Sequence, residues 1–193
     1  MAISKGTIIG LVILAAVLFL IFVLVVSTIG MYNSLVGKDV EVEKSWSEVE
    51  NQLQRRNDLI PNYVETVKGY ATHEKELFTN IANARAKLAG ATTVPDKISA
   101  ANEMSGFLSR LLVIVENYPQ LKANENFMKL QDELAGTENR IATARTRYNQ
   151  AVQAFNTTVR KFPSNLIAGM FNFQAKEFFE APEAAKAVPQ VKF

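Results

Sequence analysis

NENFMKLQDELAGTENRIATARTRYNQAVQAFNTTVRK, residues 124–161, is the stretch that decides the fold. Phe127, Leu130, Leu134, Ile141, Ala144, Tyr148, Ala151 and Phe155 recur in alternating steps of three and four, and the series continues to Phe162. Thr137 and Thr158 fill its two remaining slots. Such spacing lays one apolar stripe along one helix. From Asn124 to Lys161 that helix would be about 57 Å long at the standard rise. Gly136 lowers helix propensity locally without interrupting the stripe. Pro163 should stop the helix, because it lacks a backbone donor and its ring clashes one turn back.

A second stripe of the same kind lies upstream. Val42, Val49, Tyr63, Tyr70, Leu77 and Ala84 recur every seven residues, with Arg56 in one slot. Trp46, Leu53, Ile60, Val67, Ile81 and Leu88 interleave with them, with Glu74 in the missing slot. The pattern predicts one long helix from about residue 38 to 88, kinked or broken near Ile60 by Pro61. Residues 89–96 read as a loop, with Gly90, Thr92, Thr93 and Pro95, ending in Asp96 as an N-cap. A third helix is expected from Lys97 to Tyr118, ended or bent by Pro119. Its dense apolar content (Leu108, Leu111, Leu112, Val113, Ile114, Val115) suggests burial on more than one face. No strand-period segment and no Asn-Gly or Asp-Gly hairpin signal is present. Long, few helices with narrow seams are buried most simply in an antiparallel bundle, or against a second chain.

Working toward the N-terminus, Ile8–Val26 is an unbroken run of nineteen residues without a charged or polar side chain. At about 1.5 Å per residue it covers most of a hydrocarbon core roughly 30 Å thick. Thr7 and residues 27–31 extend it, and Tyr32 is placed to sit at headgroup level. A cleaved secretory signal is the competing reading. Signal cores are shorter, about 7–15 residues, and end at a small-x-small site that Ser27-Thr28-Ile29-Gly30 matches poorly. A retained single-pass anchor is therefore expected. Lys5 and the α-amine on one flank nearly balance Lys38 and Lys44 on the other, with a slight lean to N-inside. Residues 32–38, with Gly30 and Gly37 near the ends, read as a short joint to the bundle.

Composition narrows the function. The chain has 193 residues, 21% of them charged, and a net charge of +2, so it carries no electrostatic footprint for nucleic acid. Without cysteine it has no disulfide, thiolate metal site or thiol nucleophile. His73 is the only histidine, which excludes a multi-histidine metal site within one chain. No G-x-S-x-G, P-loop, dinucleotide-binding glycine pattern or H-E-x-x-H occurs. No catalytic residue, cofactor or metal is therefore assigned. The run His73-Glu74-Lys75-Glu76 reads as a solvated face.

Charged residues on apolar stripes are the informative ones. Arg56 and Glu74 are each expected to face other helices. Eighteen residues apart, they would be about 27 Å apart on a straight helix and could not pair. Their partners are sought among Glu116, Glu138, Arg140 and Arg145. Inter-helix ion pairs that fix register are the favoured reading; a patch for an anionic or peptide ligand is the other. With Arg55 and Pro61, the structural or interaction candidates are Arg55, Arg56, Pro61, Glu74, Glu116, Glu138 and Arg145. Past Pro163, Phe171, Phe173, Phe178 and Phe179 crowd into nine residues. They are expected to cap the bundle, with an exposed surface for lipid or a partner as the alternative. Pro182 and Pro189 punctuate an Ala-rich end, whose last ten residues are expected to be mobile.

Several stretches read together carry a resemblance. They are Gln52-Leu-Gln-Arg-Arg-Asn-Asp-Leu-Ile-Pro61-Asn with Val67-Lys-Gly-Tyr-Ala71-Thr-His-Glu74; Glu116-Asn-Tyr-Pro119-Gln-Leu-Lys-Ala-Asn124; and Leu134-Ala-Gly-Thr-Glu138-Asn-Arg-Ile-Ala-Thr-Ala-Arg145-Thr-Arg-Tyr-Asn149. With Tyr32-Asn-Ser-Leu-Val36 and Phe162-Pro-Ser-Asn165, the chain resembles the LemA family of bacterial membrane proteins from residue 32 to about 180. One departure is Tyr63, where the family usually has leucine. The resemblance implies one N-terminal transmembrane helix, an α-helical bundle and no established enzyme activity.

The expectation is thus an all-α protein: an N-terminal transmembrane helix, then an elongated antiparallel helical bundle with long helices. Residues 1–6 form a flank, 7–32 the anchor, 33–163 the bundle and 164–193 the aromatic-rich tail. The expected role is a non-enzymatic scaffold or interaction protein of the bacterial inner membrane, its soluble part on the extracytoplasmic side. It would contact the bilayer through residues 7–32, form homo-oligomers or bind a protein partner, and bind no nucleic acid. The alternative is an accessory, lipid- or peptide-handling or catalytic role that uses a groove in the bundle.

Overall fold

A computed structural model describes residues 5–180. Six helices run in order: α1 (Lys5–Lys68), α2 (Lys75–Gly90), α3 (Val94–Val115), α4 (Pro119–Lys122), α5 (Glu125–Arg160) and α6 (Ser164–Met170). The protein is all-α, and no strand occurs among the described residues. The expectations for Pro182, Pro189 and the last ten residues lie outside the described residues.

Local signals account for most element ends. Gly69 follows α1, and the N–H groups of Tyr70 and Ala71 both close back on Val67 O, at 3.0 and 2.9 Å. Thr93 starts α3: its Oγ1 accepts from the Asp96 N–H at 3.3 Å and donates to Asp96 Oδ2 at 2.6 Å. Asn124 starts α5, its Oδ1 accepting the Phe127 N–H at 3.0 Å. Glu125 in the first turn and Arg160 in the last suit the helix dipole.

Several boundaries differ from the sequence reading. The predicted joint at residues 32–38 is helical throughout; its single glycine, Gly37, is too small a penalty to interrupt a long helix. Pro61 does not end α1 either, although a mid-helix proline costs about 3 kcal/mol. Ile60, Tyr63, Val64 and Val67 are all buried around it, so tertiary packing overrides the local penalty. The break comes instead at Gly69–Glu74, and it turns the predicted 38–88 helix into two. The α3 cap is Thr93, not Asp96, which serves as the reciprocal partner at the third position. Pro119 opens α4 rather than bending α3. α3 is buried on one face only: Leu108, Leu111 and Val115 are covered while Leu112 and Val113 are exposed.

The chain forms two compact units. The first comprises residues 5–43 and Ala151–Lys176. Leu35, Val42, Val152, Phe155, Ile167 and Ala168 are buried there. Tyr32 stacks at 4.7 Å from Phe171 and 6.0 Å from Phe173, which also meets Phe155 at 6.3 Å. Above this aromatic group Lys38 donates to Thr158 Oγ1, and Lys176 pairs with Asp39 at 2.9 Å.

The second unit contains residues 44–150 and the segment from Glu177. Its core joins Ile60, Tyr63 and Val67 of α1, Ile81 of α2, Leu111 of α3, and Phe127 and Leu134 of α5. Along the stripe that decided the fold, Phe127, Leu134, Thr137, Ile141, Ala144, Tyr148 and Phe155 are buried. Phe162, the last expected member, is exposed. It lies beyond Arg160, where the helix and its period both end.

Among the described residues two helices are long and apolar enough to cross a membrane. The apolar window of α1 is wholly bare, whereas that of α3 is 39% buried, as befits a bundle helix.

Candidate functional site

Arg56 is the most informative side chain in the second unit. It takes an apolar stripe position on α1 and is 0% exposed. Burying a guanidinium is costly unless its donors are met by acceptors and a counter-charge. Here the counter-charge is present and both terminal nitrogens find acceptors. Nη1 donates to Ser105 Oγ at 2.9 Å and to Glu138 Oε1 at 3.1 Å. Nη2 donates to Ala101 O at 3.1 Å. One side chain of α1 is thereby bonded to α3 and α5 together. Nε has no partner.

Glu138 lies on α5 with its side chain 39% exposed, so it joins the buried charge to the surface. It forms one wall of a crevice of about 190 Å³, lined also by Ser105, Leu108, Leu112, Gln131 and Leu134. Arg145 follows two turns later on α5 and lies over the Phe179 ring at 4.1 Å. Its Nε and Nη2 are buried without acceptors. Burial first, then the Arg56 charge, pushes the Arg145 guanidinium below its ordinary range, while Glu138 pulls it back up. Arginine still stays charged under physiological conditions. Two guanidiniums therefore share one carboxylate, which leaves a local charge of about +1.

The structure brings Arg56, Glu138 and Arg145 together. It leaves the other sequence candidates apart. Arg55 is exposed, and Pro61 is half-buried in the middle of α1. Glu74 precedes α2 in the turn rather than facing another helix, because the helix it was placed on ends at Lys68. Glu116 is exposed just after α3, and Arg140 and His73 are exposed as well.

Sequence reasoning missed the extended segment that runs past α6. Asn149 grips the backbone of Phe179, with Nδ2 donating to its O at 3.0 Å and Oδ1 accepting its N–H at 2.8 Å. Tyr148 Oη adds a bond to Glu177 O at 2.9 Å. In the first unit Asn156 grips Lys176 in the same way, both bonds at 2.8 Å. Phe179 is thereby set against Trp46 and Arg145. The available signal was the pair of asparagines one heptad apart on α5, Asn149 half-buried and Asn156 buried. Among the described residues no group of three His, Asp or Glu side chains could hold a metal ion.

The sequence profile of the LemA family matches residues 45–193, which takes in every residue of this charged cluster. The chain belongs to the LemA family. Two similar relatives are magnetosome proteins MamQ 1 and MamQ 2 of Paramagnetospirillum magneticum (strain ATCC 700264 / AMB-1). Each is 25% identical over 179 residues, 79% of this chain and 66% of theirs. Protein LemA of Metamycoplasma hominis is 24% identical over 158 residues, 80% of this chain and 71% of its own. This LemA-family chain thus spans slightly less than two thirds of the length of the MamQ relatives.

Proposed function

We propose that this LemA-family chain is a membrane-anchored, non-enzymatic interaction scaffold of the bacterial envelope, acting by self-assembly or by binding a protein partner. The observation that carries this reading is the bare apolar stretch of α1. From Ile9 to Val26 that helix has large side chains open on every face, which water does not tolerate and a bilayer requires. A single-pass topology with the soluble part outside the cytoplasm is the orientation we propose, a slight lean between nearly balanced basic flanks. The helices in the second unit expose Leu112 and Val113 on α3 and Met128 on α5, apolar positions suited to a partner. The crevice beside Glu138, about 190 Å³, falls short of the roughly 300–1,000 Å³ of ordinary ligand pockets, so the charged cluster itself is better suited to joining helices than to holding a ligand. Relatives named for magnetosomes rather than for a reaction point the same way.

In-cell crosslinking from Leu112 and Val113, combined with sedimentation of the detergent-extracted full chain, tests the proposal. Discrete adducts or concentration-dependent self-association are expected. A strict monomer that yields no adduct would refute it.

A further inference from the structure

The first unit carries an apolar surface that the anchor alone does not explain. α6 buries Ile167 and Ala168, yet its outward face is apolar too. Leu166 is 57% exposed and Met170 76%, and they are flanked by Phe162 at 74% and Phe171 at 52%. Together with Leu24, Ile29 and Met31 of α1, this segment lines a groove of about 620 Å³ that is almost wholly apolar. A short helix with apolar side chains both inward and outward has no reason to face water.

Its surroundings are ordered as a membrane boundary is. α1 holds no charged residue from Gly6 to Gly37, and α6 packs where the apolar run of that helix ends. Next comes the aromatic group of Tyr32, Phe171 and Phe173, in which Tyr32 is of the type enriched at the headgroup level. Lys38, Asp39 and Lys176 follow. From Arg160 to Lys176 the chain has three cations, Arg160, Lys161 and Lys176, and no acidic residue. Arg160 and Lys161 are exposed beside the apolar face, as contact with anionic headgroups requires.

We infer that residues 162–171 form a second membrane-contacting element. It lies in the acyl–headgroup boundary of the leaflet nearest the bundle, with Phe162, Leu166, Met170 and Phe171 among lipid chains and Arg160 and Lys161 at the phosphates. Its occupant is lipid, not a second copy of the chain, because the apolar face continues the lipid-facing surface of α1 and the segment from Arg160 to Lys176 carries only positive charge. This inference rests on α1 being a membrane anchor.

The full chain has no cysteine, so single nitroxide labels report one site each. Labels at Leu166→Cys and Met170→Cys are compared with Val17→Cys in the anchor and Thr143→Cys on α5. The protein is reconstituted in vesicles of phosphatidylethanolamine and phosphatidylglycerol, and collision with oxygen and with a water-soluble nickel chelate is measured. Labels at 166 and 170 should favour oxygen over the chelate and lie shallower than 17, while 143 favours the chelate. If 166 and 170 match 143 while 17 stays oxygen-accessible, the inference fails and the anchor stands. If 17 also matches 143, the anchor itself fails. If 166 and 170 are shielded but show spin–spin broadening that vanishes on dilution with unlabelled chain, a second copy covers the face and the lipid assignment is overturned.

Discussion

Removing either member of the Arg56–Glu138 pair should have unequal consequences, and the geometry says which is worse. Glu138→Gln keeps the shape and one acceptor but removes the counter-charge from a guanidinium that is fully buried. Stripping a partner from a buried charge costs about 3–5 kcal/mol in general. The half-open position of Glu138 lets water take its place, so roughly 2–3 kcal/mol is the expected loss. Arg56→Met instead leaves behind acceptors that are already provided for. Ser105 Oγ donates to Ala101 O at 3.0 Å, and the Glu138 carboxylate can turn to solvent. Methionine also fills similar space without a charge, so about 1 kcal/mol or less should be lost. Two unit charges about 4 Å apart interact by about 4 kcal/mol at an effective dielectric of 20 and about 1 in bulk water. A half-open pair falls between, so the coupling in the double-mutant cycle should be about 2 kcal/mol. Urea unfolding of the detergent-solubilised full chain, followed by circular dichroism, gives all four stabilities. If Arg56→Met is the more damaging change, or if the coupling is under about 0.5 kcal/mol, the account of a compensated buried charge is wrong.

Three further outcomes follow from the structure. Tyr63 is buried with no partner for its hydroxyl, and burial pushes its pKa up to about 12. Tyr63→Phe should therefore stabilise the fold by about 1 kcal/mol. Because the unfolded phenol ionises near 10, before the folded one, the wild type should lose stability as pH rises from about 10 to 12, by about 2–3 kcal/mol more than Tyr63→Phe. Parallel pH–stability curves for the two proteins would contradict this. Asn149→Ala should free the Phe179 backbone and uncover Trp46, the only tryptophan, so a red shift of its emission is expected and an unchanged spectrum counts against the clamp. Thr93→Ala should cost about 0.5–1 kcal/mol through loss of the α3 cap, measured by thermal unfolding.

What could be read in advance depended on the range of the interaction responsible. The α5 stripe was legible because a 3.6-residue period is a local property, and its span matched to within a residue at each end. Arg56 was conspicuous for the same reason: a charge in an apolar slot announces burial. Its partner was not assignable, since Glu116, Glu138, Arg140 and Arg145 differ only in where the bundle folds them. Gly37 as a joint and Pro61 as a break misled because local propensity is worth a few kcal/mol at most, less than the cooperativity of a long helix and, at Pro61, the packing of Ile60, Tyr63 and Val67 beside it. The Asn149 and Asn156 clamps left almost no mark, because an asparagine that grips a backbone looks like any other polar residue.

Arg56 also bears on how many arrangements the helices could adopt. Apolar stripes that repeat every seven residues match themselves again when one helix slides by seven, so hydrophobic burial alone ranks neighbouring registers almost equally. A guanidinium in the stripe removes that degeneracy. Its acceptors, Ala101 O, Ser105 Oγ and Glu138 Oε1, converge at one place, and a slip of one heptad would carry the charge away from the only carboxylate bonded to it. A residue that contributes little to stability can thus decide which set of side chains the bundle presents outward.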